Sequence, residues 1–304
     1  MSGHFPNIRL RTPGGVILVR DGLSLRFYMR HPHREIAGRV MRTLARYLDV
    51  TGPLLGKFTD DEGEWHDLDG AAWARIRDQL QHGTVFQMKL ADVSSKEERF
   101  KFEYMARELD PAAQMRYWPG EVCAMELWLP TEMLLERGPD HVRQLTLELA
   151  DPLPFCSGQA GLALNGPLDV VGVPHDLRRL CARYPGIEIV AIGHDADYVG
   201  TKVQTPSWLT FLGQPVLGEI GGVEGLRSRL RWPETTVQAM EGDRAVVTLG
   251  PWPEAGDAEK GILLPAYREL AHALEPWRLV YPEEDRGLFR SAEERLRWDR
   301  RFLD

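Results

Sequence analysis

The sequence predicts an α+β protein: two lobes of mainly antiparallel sheet flanked by amphipathic helices, or one continuous domain of that architecture. Three observations predict this class. Apolar and polar residues alternate in short runs, which indicates strands. Apolar residues also recur three and four positions apart, which indicates amphipathic helices. The strands follow one another more often as hairpins than as βαβ units. We place the boundary at Asn165, so the lobes take residues 1–165 and 166–304.

The N-terminal half opens with two apolar runs, residues 16–20 and 23–29, on either side of Asp21-Gly22. An Asp-Gly pair between apolar runs is a strong signal for a two-residue hairpin loop. Two paired strands are therefore predicted here, the second with one buried face. The same patterns predict the other elements in order: a helix at 35–48, a short helix that Asp69 caps, strands at 84–90, 100–104 and 123–129, and a helix at 140–150.

The C-terminal half is predicted to alternate strands with helices. Apolar residues form one stripe along residues 207–220, which predicts a helix capped by Ser207, with Trp208 in the core and a kink at Pro215. A buried strand is predicted at 187–192, followed by a solvated loop at 194–198. The other predicted elements are a strand at 155–164, a helix at 176–184, a hairpin of residues 235–240 and 245–249, a helix opened by Pro265, and a last helix whose capping box starts at Ser291.

The charge balance excludes one class of function. The 304-residue chain carries 37 Lys and Arg against 45 Asp and Glu, which gives a net charge of −8. Broad, sequence-independent binding of nucleic acid usually requires a basic face, so no direct nucleic-acid partner is expected. A basic protein partner is favoured instead, because opposite charges steer association.

The N-terminus and the cysteines bear on the cellular compartment. The first residues lack a charged segment followed by an apolar one, so no signal peptide is predicted. The apolar runs are far shorter than the roughly 20 residues that cross a bilayer. Cys123, Cys156 and Cys181 have neither the number nor the spacing of a disulfide framework or a zinc site. We therefore expect a cytoplasmic protein with no membrane partner and no cofactor.

One segment keeps an enzyme hypothesis open, although the sequence lacks the common glycine-loop, nucleophile-elbow and zinc-protease motifs. His194, Asp195 and Asp197 follow a predicted buried strand. Two carboxylates in a D-x-D pair can bind Mg²⁺ through two oxygens, which would suit a metal-dependent hydrolase. The sequence identifies no third acidic ligand.

The densest run of charge lies at residues 60–69, which contain six carboxylates and no Lys or Arg. The run does not fit the pattern of a calcium-binding loop. An aromatic residue among carboxylates suits a basic protein partner, because the aromatic ring supplies affinity and the charges steer association. The candidate binding residues are Asp60, Asp61, Glu62, Glu64 and Trp65, with a second group of Asp195, Asp197 and Tyr198.

Three segments resemble motifs of a known family. They are residues 156–164 (CSGQAGLAL), residues 183–188 (RYPGIE), and residues 207–213 (SWLTFLG) with the following Gly221-Gly222. In order and spacing they are similar to the motifs of the type VI immunity family, formerly a bacterial domain of unknown function. Its members protect a producing cell from effectors of the type VI secretion system.

The family has no catalytic residue set to carry over, so its motifs imply a fold and no active site. The resemblance implies a protein that binds and neutralises a cognate type VI effector toxin by masking its active site. That effector is expected to be a basic nuclease acting in the cytoplasm. Two other hypotheses stay open at this point: the metal-dependent hydrolase with His194, Asp195 and Asp197, and an adaptor that loads the effector onto the secretion apparatus.

Overall fold

One sheet of twelve strands runs through the part of the chain that the computed structural model describes, residues 3–60, 63–92, 99–110, 119–168 and 170–304. Ten strands follow the order β11-β12-β10-β8-β2-β7-β6-β5-β3-β4; β1 also pairs with β2, and β9 pairs with β8. The strands are β1 (Arg9–Arg11), β2 (Ile17–Met29), β3 (Leu55–Thr59), β4 (Trp65–Asp67), β5 (Phe86–Asp92), β6 (Lys101–Ala106), β7 (Cys123–Leu129), β8 (Ser157–Asn165), β9 (Glu188–Ile189), β10 (Leu209–Leu212), β11 (Thr235–Met240) and β12 (Arg244–Leu249).

Ten α-helices of the described residues accompany this sheet, which confirms the α+β class. All strand pairs are antiparallel except β8 with β9. The helices are α1 (His33–Thr51), α2 (Gly70–His82), α3 (Glu132–Arg137), α4 (Pro139–Ala150), α5 (Val173–Arg183), α6 (Ile192–Tyr198), α7 (Val216–Glu219), α8 (Gly222–Arg229), α9 (Pro265–Leu274) and α10 (Ala292–Asp299).

Helix starts follow the local signals in the sequence. The Asp69 carboxylate accepts the backbone N–H of Ala72 at 2.8 Å and caps α2. The Ser291 hydroxyl accepts the backbone N–H of Glu294 at 3.1 Å and caps α10. Pro265 opens α9, where its missing N–H costs no hydrogen bond. These starts confirm three predictions that rest on contacts between residues close in sequence.

The hairpin predicted at Asp21-Gly22 is wrong, because both residues lie inside the thirteen-residue strand β2. Asp21 is buried and accepts the backbone N–H of Ile8 at 2.7 Å. Gly22 packs under an indole ring: a Cβ added there would lie 2.6 Å from Trp128. The glycine therefore permits a close approach within a strand and does not form a turn. Both faces of β2 are buried, not one.

The helix predicted over residues 207–220 is also wrong. Residues Leu209–Leu212 form β10, which pairs with β8 on one side and β12 on the other, and only Val216–Glu219 forms the short helix α7. All four β10 residues are buried. A short apolar run that is buried on both faces does not show which element it forms from periodicity alone. The prediction that Trp208 is a core residue is confirmed, since it is 1% exposed.

Two further predictions fail between residues 187 and 198. The predicted strand shrinks to β9, Glu188–Ile189, and Ile192 already begins a helix. The predicted solvated loop at 194–198 is α6, which packs on the sheet face opposite the main core. There Ile192 and Ala196 join a small apolar cluster with Tyr28 of β2.

Strands from both sides of residue 165 lie in the same sheet. Strand β8 of the first half pairs with β2 along one edge and with β10 of the second half along the other, from Leu209↔Ala160 to Leu212↔Ser157. The main hydrophobic core likewise contains residues of both halves, among them Phe27, Phe102, Leu177 and Phe211. The division into lobes at residues 1–165 and 166–304 stays a prediction.

Candidate functional site

The described part of the acidic stretch contains β4, which pairs with β3 at one end of the sheet and is the last strand in the order. The Asp60 carboxylate closes the hairpin loop: it accepts the backbone N–H of Glu64 at 2.9 Å and lies 2.6 Å from Nε2 of His66. Asp61 and Glu62 lie outside the described residues. All three residues of β4 are exposed, so this edge of the sheet faces solvent.

Beside this hairpin lies a surface groove of about 630 Å³. Trp65 on one wall is 48% exposed, and Val85 on another is 60% exposed. Asp60 and Lys89 contribute one charge of each sign to the lining. A large aromatic side chain, an exposed valine and surrounding carboxylates have the composition of a protein–protein contact, in which an aromatic anchor is bordered by charge.

The second group of candidate residues lies on α6, and its members differ in exposure. Asp195 is 6% exposed. Its Oδ1 accepts the hydroxyl of Tyr281 at 2.7 Å, and the hydroxyl of Tyr28 lies 3.1 Å from its Oδ2. Both oxygens of this carboxylate are thus engaged inside the protein, and Asp195 does not present a charge at the surface.

Asp197 and Tyr198 lie at the surface end of the same helix. The Asp197 carboxylate is half exposed and pairs with Arg107 at 3.2 Å. The Tyr198 ring contacts the rings of His194 and Tyr281. Successive carboxylates two positions apart point to different sides of a helix, so Asp195 and Asp197 do not converge on one ion. Among the described residues no group of three or more His, Cys, Asp or Glu is arranged to hold a metal.

The charges around Asp195 and His194 stabilise each other. Burial raises the pKa of Asp195, but the His194 ring and the Arg26 guanidinium outweigh burial, so this pKa lies below its ordinary value. The Asp195 carboxylate raises the pKa of His194 against the effect of burial, and Asp285, 2.7 Å from Nε2, adds to the rise. The pair is therefore an ion pair over a wider pH range than two isolated groups.

A cavity of about 290 Å³ opens next to this cluster. Its walls come from β2, β9, α6, α10 and the segment 278–289. Sequence reasoning missed its most buried cations, Arg26 and Arg295. The sequence does carry one signal for Arg26: it alternates with Leu25 and Phe27 along β2, but the polar side of that strand is covered by α6 and by Tyr281 instead of solvent.

The buried carboxyl of Asp299 on the cavity wall should make the free energy of unfolding depend on pH. Its burial raises its pKa from 3.8 to about 6, although Arg295 lowers it. The folded state therefore disfavours the ionised form, a penalty that is absent below pH 3.8 and fully present above about pH 6. Asp299→Asn is expected to raise the free energy of unfolding by about 2–3 kcal/mol at pH 7.5 and to leave it unchanged near pH 3.5.

Chemical denaturation at the two pH values measures this effect. Asp140→Asn is the matched control, because the Asp140 carboxylate is exposed. It should leave the free energy of unfolding nearly unchanged at both pH values. An Asp299→Asn gain that is the same at pH 3.5 and pH 7.5 would show that the carboxyl carries no burial penalty.

Comparison with known proteins identifies the class and then the family. The family model described as type VI immunity for VRR-NUC, TsiV, matches residues 39–302. The chain therefore belongs to this family of type VI immunity proteins. A solved structure of the Pseudomonas aeruginosa T6SS protein PA0821 is similar in fold: the TM-score is 0.78 at 20% identity, over 98% of this chain and 88% of that chain. No curated protein sequence gives a significant match.

The family match confirms the resemblance carried by residues 156–164, 183–188 and 207–213. In the structure the first segment is β8 with its entry, and the last contains β10, which pairs with it. No helix in the described part of the chain is both long and apolar enough to cross a membrane.

Proposed function

We propose that this protein binds a VRR-NUC effector of a type VI secretion system in the cytoplasm and neutralises it by masking its active site. The observation that carries the proposal is the family match over residues 39–302. A nuclease must bind a polyanion and so tends to have a basic groove, and the net charge of −8 on this chain is complementary to such a groove.

The β3–β4 hairpin and its groove are the proposed contact with the effector. Trp65 is the proposed anchor, because its exposed ring can bury a large apolar area in a partner. Asp60 and Glu64, with Asp61 and Glu62 between them in the sequence, supply the negative charge. Asp197 and Tyr198 form a second exposed candidate on α6, whereas Asp195 acts there only through the internal network that it completes.

The hydrolase hypothesis gains no support from the geometry of its three residues. His194 contacts Asp285, Asp195 accepts from Tyr281, and Asp197 pairs with Arg107. His194 and Asp195 face each other at 3.8 Å, whereas Asp197 pairs separately with Arg107. An enzyme would need them to converge on one reacting atom or ion.

Stoichiometric, tight binding is the first expected result. Titration of the effector encoded beside this gene into the protein, followed by calorimetry, should give one-to-one binding with a dissociation constant of about 1 nM or lower. The complex should bury at least about 1,600 Å². Micromolar or absent binding would contradict the proposal.

Survival and secretion separate immunity from the adaptor hypothesis. Cells that express the effector in their cytoplasm should survive only when this protein is present, and survival should not require the secretion apparatus. An adaptor would instead be needed for export of the effector and would leave its toxicity unchanged. The nuclease activity of the purified effector should fall in proportion to the amount of protein added, with no turnover.

A further inference from the structure

The 290 Å³ cavity beside α6 has the size of a site for a small organic ligand, since such sites start at roughly 300 Å³. It lies among elements far apart in the chain: Arg26 comes from β2, His194 from α6 and Arg295 from α10. It is separate from the β3–β4 hairpin, whose groove is lined by other residues. The proposed effector contact therefore does not account for this cavity.

The Arg26 side chain is the first indication of the ligand. It is 3% exposed, and its guanidinium makes one long hydrogen bond, from a terminal nitrogen to Oε1 of Gln204 at 3.4 Å. The nearest carboxylate oxygen, on Asp195, is 3.7 Å away. Its Nε is buried without a hydrogen-bond partner. A guanidinium has five N–H donors, so this buried cation lines the cavity with most of its donors unused.

Arg278 is a second arginine on the cavity wall, and it is half-buried. A terminal nitrogen of its guanidinium donates to the backbone carbonyl of Leu279 at 3.4 Å, and its Nε is buried without a partner. Two guanidinium groups at one cavity favour a ligand that accepts hydrogen bonds, and a carboxylate adds charge attraction and can accept two parallel N–H bonds from one guanidinium.

The charges around the cavity leave room for one negative charge. The cations on its walls are Arg26, His194, Arg278 and Arg295. The carboxylates on its walls are Glu188, Asp195 and Asp299. With every group ionised, the cluster is one positive charge in excess, and protonation of Asp299 would increase that excess.

The remaining wall is apolar. Ile189, Leu279, Leu288, Phe289 and Trp298 face the cavity together with the Tyr281 ring. We propose that this cavity binds a small monocarboxylate whose carboxylate meets Arg26 and Arg278 and whose aromatic or short aliphatic body lies against this apolar wall. This assignment does not depend on the proposed immunity function.

Phenylacetate is a suitable probe, because phenylacetamide has the same body without the charge, and hexanoate tests an aliphatic body. Calorimetry and ¹H–¹⁵N chemical-shift titration of the full chain should give a dissociation constant below about 1 mM for phenylacetate. Phenylacetamide should bind at least about tenfold more weakly, because it lacks the negative charge that the guanidinium groups attract. The largest amide shifts should occur at Ile189, His194 and Leu279.

Four variants localise the binding. Arg278→Met, at a half-buried position, should weaken phenylacetate about tenfold, and Leu288→Trp should abolish binding by filling the cavity. Arg227→Met removes an exposed arginine that pairs with Glu224 on α8, and it should bind phenylacetate like the unaltered chain. The more buried Arg26→Met should also weaken phenylacetate binding. If that variant does not fold, the affinity of Arg278→Met alone tests the role of the guanidinium groups.

Three outcomes would overturn the proposal. One is the absence of saturable binding of both phenylacetate and hexanoate up to about 5 mM, a weak limit on the affinity scale. Another is equal affinity for phenylacetate and phenylacetamide. The third is binding that survives Leu288→Trp, or shifts centred on residues outside the cavity. Because neither probe involves the effector, failure here leaves the immunity proposal unaffected, and the reverse also holds.

Discussion

Trp208→Ala is expected to lower the free energy of unfolding by about 3–5 kcal/mol, the usual cost of removing a large buried aromatic side chain. The indole is 1% exposed and its Nε1 donates to the backbone carbonyl of Gly250 at 3.0 Å. The substitution therefore leaves both a void and an unsatisfied carbonyl group. The melting temperature should fall by about 10 °C.

Calorimetric or circular-dichroism melting measures this change, and Trp232→Ala is the matched control because Trp232 is exposed. Loss of protection against the effector should follow the loss of folded protein and be restored at lower temperature. A Trp208→Ala variant that melts like the unaltered chain but no longer binds the effector would place this residue at the interface and not in the core.

Trp65→Ala is expected to weaken effector binding by about 2 kcal/mol or more, as for a central aromatic anchor. This corresponds to dissociation about thirtyfold faster, since affinity changes at one interface appear mainly in the dissociation rate. The exposure of Trp65 means that its removal should leave the stability of the free protein nearly unchanged. Trp232→Ala again serves as the control.

A variant that replaces the four acidic side chains by their amides should instead associate more slowly, with a weaker dependence on salt. The four residues are Asp60, Asp61, Glu62 and Glu64. Charges at the edge of an interface mainly steer the encounter of the two proteins. The matched control neutralises four exposed carboxylates elsewhere, Glu136, Asp140, Glu224 and Glu293. Surface plasmon resonance at two salt concentrations separates the two rates. If both hairpin variants keep unchanged rates, the interface lies on another face.

The parts of the fold that sequence predicts are those whose causes are local. Asp69 and Ser291 cap helices through N–H groups three residues away, so the pattern alone identifies the contact. The strands β2 and β10 are buried by neighbours far away in the chain, and both pair with β8. The apolar runs of β2 and β10 do not indicate which residues cover them, so the same sequence pattern also fits a hairpin or a helix.

The two parts of the candidate site differ in the same way. The acidic residues of the hairpin follow one another in a single segment, so the run of charge is visible in the sequence itself. The cavity joins Arg26, Tyr281 and Arg295 from three distant segments, and no spacing in the sequence relates them. Long-range contacts of this kind become visible only once the sheet brings the segments together.

The pairing of β2 with β8 has a consequence for biosynthesis. The partner of Tyr28 is Ser157, about 130 residues later in the chain. At about 5–20 residues per second, the ribosome takes on the order of ten seconds to deliver that partner. During this interval β2 has an open edge in the nascent chain, and an unpaired apolar strand is a site for aggregation. Completion of the central sheet, and with it any protection of the cell, is therefore tied to the second half of translation.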